Sequence, residues 1–234
     1  MLQPPPYITA SGVCTSPGGY SWRPDQDVSI IEAYPKNIEH LVGDISLRAS
    51  LTLGIGVAEW MMWRLDGRSA YNRVNLYINA LWARTIDKLY LKVSHLEKAK
   101  DTGDPILGPL LALDLALYGV LVKTTLDHPE RGRSVAEMVS LVRYTLTDQA
   151  EFDHWLGLTL GRFLEHYRLN PKNRGGALVP RAFLDPNVAV DPSQVALFLD
   201  DQLRSVERVD NPFLATADEM MAAGFKGTPY RYLP

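Results

Sequence analysis

Apolar residues recur at steps of three and four along most of this chain, the spacing that gathers them on one face of an α-helix. The first long run covers about 35–66, where Ile38, Val42, Ile45, Ala49, Leu53, Gly56, Trp60 and Trp63 share a face. Gly67 predicts its end, and Ser69 can cap a second helix reaching about residue 99. The stripe of that second helix is Tyr71, Val74, Ile78, Trp82, Ile86, Leu89, Val93 and Leu96. Two helices of about thirty residues joined by so short a turn predict a long antiparallel hairpin.

Later helix starts are marked by side chains suited to cap the free backbone N–H groups of a first turn. Asp104-Pro105 sets an acceptor before a proline at the first helical position. Ser134 with Glu137, Asp148 with Glu151, Asp191 with Gln194 and Thr216 with Glu219 have capping-box spacing. Helices are therefore expected to begin near 104, 134, 148, 191 and 216. The one near 148 carries Phe152, Leu156, Leu160, Phe163 and Tyr167 on a stripe. Residues 1–34 are rich in Pro, Gly and Ser and predict an irregular arm, with Tyr7, Ile8, Tyr20 and Trp22 packing parts of it down. Residues 169–190, with Asn170-Pro171 and Gly175-Gly176, predict a long ordered loop wrapping the bundle. The fold expected is all-α: one helical domain over 35–234, preceded by the arm.

Residues 105–122 (PILGPLLALDLALYGVLV) change the picture, because they are apolar on nearly every side. The run is short for a membrane span, and Asp114 at its centre costs about 2.5–3.5 kcal/mol to insert. The expectation is the middle helix of a soluble bundle. A buried Asp114 must then be paired or neutralised. An arginine or tyrosine partner would make it structural. A cavity beside it would make it a functional carboxylate with a raised pKa.

Composition and charge narrow the function classes. Hydrophobic residues form 46% and charged residues 22% of the 234, which is globular composition, and the net charge of −3 gives no general affinity for nucleic acid or anionic membrane. The single cysteine, Cys14, cannot make an internal disulfide, and the N-terminus lacks the basic and apolar segments of a signal peptide, so a reducing cytoplasm is expected.

No catalytic set is complete. Glu151 and His154 form the only Glu-x-x-His pair, whereas a di-metal helical site needs two such pairs and two further glutamates. Cys14 has no neighbouring His or basic residue to lower its pKa, and no G-x-S-x-G elbow is present. Gly54-Ile55-Gly56 lacks the third glycine of a dinucleotide loop and suits close helix–helix approach instead. No cofactor or metal is expected. Arg84, Lys88, Lys92 and His95 would make a basic stripe on the second helix, but acids interrupt it and the interleaved aromatics of single-strand binders are missing. The 191–219 stretch has the opposite bias. Within it Asp200, Asp201, Glu207 and Asp210 are the candidates for an acidic surface that steers a basic protein partner.

The C-terminal residues Asn211-Pro212-Phe213-Leu214, Glu219 to Phe225 and Gly227-Thr228-Pro229-Tyr230 resemble the tail of bacterial all-α immunity proteins encoded beside secreted effector toxins. The resemblance covers about twenty residues and carries over no site residue. It implies a cytosolic protein that binds a cognate toxin and blocks it. The function expected is a non-enzymatic binding protein with a protein partner, which the resemblance implies to be a basic toxin domain, and with no nucleic-acid or membrane partner. The alternative left open is a helical-bundle enzyme, or a ligand- or metal-binding protein, built around Asp114 or Glu151 and His154.

Overall fold

A computed structural model of the chain describes residues 3–15, 19–23, 26–65, 73–92, 103–189, 191–207 and 210–233. Among them the fold is all-α. Its helices are α1 (Pro6–Ala10), α2 (Gln26–Glu32), α3 (Lys36–Gly43), α4 (Leu47–Leu65), α5 (Arg73–Arg84), α6 (Leu107–Thr125), α7 (Arg131–Thr145), α8 (Ala150–His166), α9 (Val195–Glu207) and α10 (Ala217–Ala222). The described residues form no strand, only isolated bridges.

The centre of the bundle is α4, in which every residue from 49 to 65 is buried. It packs against α5, α6 and α7, and α7 in turn packs against α2 and α3. A methyl group on Gly54 would stand 2.8 Å from Val120 of α6, so this glycine serves the close helix–helix approach that the pattern suggests. One on Gly56 would stand 2.5 Å from Leu184, so Gly56 instead admits a side chain of the 181–184 turn.

The single helix expected over 35–66 is divided at 44–46. The backbone there is bonded to other elements: Ser46 N–H donates to Tyr167 O at 2.9 Å, and Leu169 N–H donates to Asp44 O at 2.8 Å. The buried Arg131 donates to Gly43 O at 2.6 Å. Ser46 then caps α4 by accepting from Ala49 N–H. The expected stop and restart at Gly67 and Ser69 lie outside the described residues.

The second helix is much shorter than expected, because α5 ends at Arg84. The Trp82 carbonyl is taken by the Thr85 hydroxyl and the Gln202 amide, both at 2.7 Å. Asp87 caps a 3-10 turn at Lys88–Tyr90, and Lys92 N–H then pairs with Phe213 O. A stripe through Arg84, Lys88 and Lys92 needs a continuous helix and therefore does not form. Lys92 is paired with Glu219 at 2.9 Å, and His95 lies outside the described residues.

The 105–122 segment is helical but not central. Asp104 receives the N–H groups of Ile106 and Leu107 at the start of α6. One face buries Leu110, Leu113, Asp114, Leu117 and Val120, while Leu115 is 64% and Leu126 70% exposed, with Tyr118 also outward. α6 is long and apolar enough to cross a membrane, and half of that window is buried in the bundle. The two faces predict different outcomes for similar residues. Leu113→Ala should cost about 2–5 kcal/mol in chemical denaturation. Leu115→Glu should stay within about 0.5 kcal/mol, and a large loss there would show that the outer face is covered.

Of the capping boxes, Thr216 with Glu219 forms in full. Asp191 accepts from Ser193 N–H and caps the 3-10 turn leading into α9, and Asp148 accepts from Ala150 N–H. Ser134 does not cap: α7 already begins at Arg131, and Ser134 N–H bonds to Glu130 O inside it. The N-terminal arm is less irregular than expected. It holds α1 and α2, and its Ile8, Val13 and Trp22 belong to one contiguous core that extends to Tyr230. The described part of the 169–190 loop, residues 169–189, lies against the bundle. Arg174 and Gly175 carbonyls receive Leu47 and Arg48 N–H, and a 3-10 turn at Arg181–Leu184 sits in its middle.

Candidate functional site

A carboxylate does lie buried in the middle of the bundle, but it is Glu59 of α4 rather than Asp114. Glu59 is fully buried. Its Oε1 accepts from Trp82 Nε1 at 3.0 Å and from Arg181 at 2.7 Å, and its Oε2 accepts from Arg181 Nε at 3.3 Å. The guanidinium thus grips the carboxylate with two bonds, the geometry in which an arginine pair is strongest. Burial pushes the Glu59 pKa above the usual carboxylate range, and Arg181 and the Trp82 indole pull it back part of the way.

Arg181 connects this pair to the surface. Its side chain is 18% exposed and also donates to Gln3 O at 3.1 Å. Its backbone N–H donates to the Gln202 amide oxygen at 2.9 Å. Above it opens a groove of about 480 Å³ between the N-terminal Pro4–Pro6 run, the 181–188 turn and α9. Phe198 and Val188 supply apolar wall, and Asp185, Asp201 and Ser205 supply polar groups. Tyr7, also on this wall, stacks on Trp155 with ring centroids 5.4 Å apart. Its hydroxyl is buried without a hydrogen-bond partner among the described residues. Burial, with the Glu59 charge nearby, raises its pKa well above the ordinary phenol value.

Charge gives the groove its character. Glu59 and Arg181 offset each other, so the exposed Asp201 sets the sign of its accessible surface, which is acidic. Asp185 is itself buried and receives Asn187 N–H at 2.9 Å. Asp201 is exposed at the rim.

The residues expected from sequence are scattered around this groove. Asp114 is buried as expected, and its partner is Arg73, whose Nε lies 3.0 Å from Oδ2. That guanidinium also stacks 4.7 Å from the Phe213 ring. The pair joins α5 to α6 and is accounted for structurally. Glu151 and His154 are both exposed, and no three His, Cys, Asp or Glu residues among the described ones converge as a metal site would require.

The acidic surface is corrected in part. Asp200 is 3% exposed and not available to a partner. It accepts Tyr232 N–H at 2.8 Å and Leu233 N–H at 3.3 Å and pairs with Arg204 at 2.7 Å, so it fastens the C-terminus to α9. Those backbone bonds hold its carboxyl below the usual range. Asp201 and Asp210 are exposed, the first in the groove and the second outside it. The Glu207 side chain lies outside what the structure describes.

The C-terminal residues that carry the family resemblance have internal tasks. Asn211 donates to Leu76 O at 2.7 Å and accepts Phe213 N–H at 2.9 Å. Tyr230 donates to Ala215 O at 2.5 Å, and Phe213, Leu214 and Met220 are buried.

Glu59 was missed although it gives the same signal as Asp114, a lone acid in an apolar helix. The 47–65 run contains no other acid. Arg181, 122 positions away in a loop, gives no local signal at all. No family model, no curated protein and no solved structure matches this chain.

Proposed function

We propose that this chain is a non-enzymatic binding protein whose acidic groove receives a basic segment of a partner protein. The observation that carries the proposal is the groove itself: apolar walls from Pro4–Pro6, Val188 and Phe198, with Asp201 exposed at the rim beside a neutralised Glu59–Arg181 pair. Such a surface suits a lysine or arginine stem lying along apolar wall with its charged head at a carboxylate. The rigid floor favours binding, since little side-chain freedom remains to be lost. Neutralisation of a cognate bacterial toxin in the cytoplasm, by occluding its basic surface, is the specific form implied by the C-terminal resemblance.

The test uses the full chain and a fluorescent peptide of alternating arginine and leucine, with an alternating glutamate–leucine peptide as control. Anisotropy should show binding of the basic peptide only. Asp201→Lys should weaken it at least tenfold, whereas Asp210→Lys, an equal charge change outside the groove, should leave it within about twofold. Equal loss from both substitutions would reduce the effect to net charge and refute the groove.

A further inference from the structure

On the other side of the 181–188 turn lies a second and larger concavity, of about 830 Å³, between the end of α8, the 177–192 loop and the start of α9. Its character is opposite to that of the acidic groove. Arg162 of α8 stands in its wall and is held fixed. One terminal nitrogen donates to Asp185 O at 2.5 Å, the other donates to Val188 O at 2.8 Å, and the guanidinium lies 4.4 Å from the Phe183 ring centre. Both hydrogen-bond partners are neutral carbonyls. No carboxylate among the described residues forms an ion pair with Arg162. Burial lowers its pKa, with the more distant Asp185 charge offsetting this only in part. A guanidinium has five N–H donors, so three remain after these two bonds.

One side of the concavity is apolar, with Leu178, Pro186, Val188 and Val195, while His166, Tyr167, Asn187 and Tyr232 add polar groups around Arg162. Its volume falls within the range of small-molecule sites, which pair apolar walls with a few fixed polar groups. A half-buried, immobilised cation without a carboxylate partner, facing apolar walls, is complementary to an amphipathic anion.

We infer that this concavity is a binding site for a small amphipathic carboxylate, whose headgroup meets Arg162 while its hydrocarbon lies against Leu178, Pro186 and Val195. The concavity opens on the opposite side of the 181–188 turn from the acidic groove, and the two share Val188 of that turn. It is made by the 169–190 loop, so it gives that long ordered segment a purpose beyond covering the core.

Calorimetric titration of the full chain with decanoate, kept below micellar concentration, tests the inference, with decanol and decyltrimethylammonium as neutral and cationic probes of equal length. Decanoate should saturate at one per chain and bind at least tenfold more tightly than either control, the factor expected for one charge-assisted hydrogen bond. Val195→Trp puts a bulky ring on the wall where the hydrocarbon should lie without touching the Arg162 bonds, and should weaken decanoate and decanol binding alike while the melting temperature is kept. Arg162→Met should remove the preference for decanoate over decanol, and amide hydrogen exchange across 177–189 checks that the loop survives. Three results would overturn the inference: no saturable binding, equal binding of decanoate and decanol, or undiminished binding by Val195→Trp.

Discussion

Arg181→Ala should destabilise the protein by about 3–5 kcal/mol, more than the loss of any exposed ion pair, because it leaves the buried Glu59 carboxylate without a counter-charge and with only the Trp82 indole bonded to it. The effect should depend on pH with a definite sign. Burial holds the folded-state pKa of Glu59 above its ordinary value, so the folded state binds more protons than the unfolded chain across that interval. The stabilising contribution is full below the ordinary carboxylate pKa and is lost as pH rises through the folded value. Removing Arg181 takes away the strongest group lowering that pKa, which extends the interval upward. Denaturant unfolding of Arg181→Ala should therefore show a smaller deficit near pH 5 than near pH 8. Equal deficits would mean that Glu59 is not the group left exposed to the change. The double variant Glu59→Gln, Arg181→Met keeps an acceptor for the Trp82 indole and removes both charges, and should recover a large share of the loss.

Gly132→Ala should be the second severe change, and of a sign that helix propensity alone would get wrong. Alanine is favoured over glycine inside a helix by about 1 kcal/mol. A methyl group on Gly132, however, would lie 2.2 Å from the Glu39 carbonyl oxygen, a backbone atom at the α3–α7 contact. The helices must separate, and overpacking of this kind costs about 1–3 kcal/mol or more. Gly157 and Gly161 of α8 have nothing within 4 Å of the added methyl, so alanine there should stabilise by up to about 1 kcal/mol. Melting temperatures of the three single variants check both signs together. If Gly132→Ala melts with the others, α3 and α7 are not in contact as described.

How far the sequence could be read depended on the range of the interactions involved. The α8 stripe Phe152, Leu156, Leu160, Phe163 is buried as its spacing predicts. Thr216 and Glu219 cap each other because both partners sit within one helical turn. The long helix over 35–66 failed for the opposite reason, since Ile45 fits the apolar stripe while the backbone around it bonds to Arg131 and to residues 167–169. α5 likewise stops where Gln202, 120 residues on, takes the Trp82 carbonyl. In the 191–219 acidic stretch, composition could not distinguish Asp200, bonded to the C-terminal backbone, from Asp201 beside it in the groove.

By itself the sequence determined the all-α class, the main core stripes, the close helix approach at Gly54 and the existence of a buried acid in an apolar helix. These follow from local periodicity, which a helix of 3.6 residues per turn imposes regardless of its neighbours. Only the tertiary structure decided which helix is central, and hence that Glu59 is the acid beside a groove while Asp114 is a paired strut. That decision rests on Arg181 meeting Glu59 across 122 positions. No periodic pattern encodes such a meeting, because it depends on how whole helices and a long loop come to rest against one another.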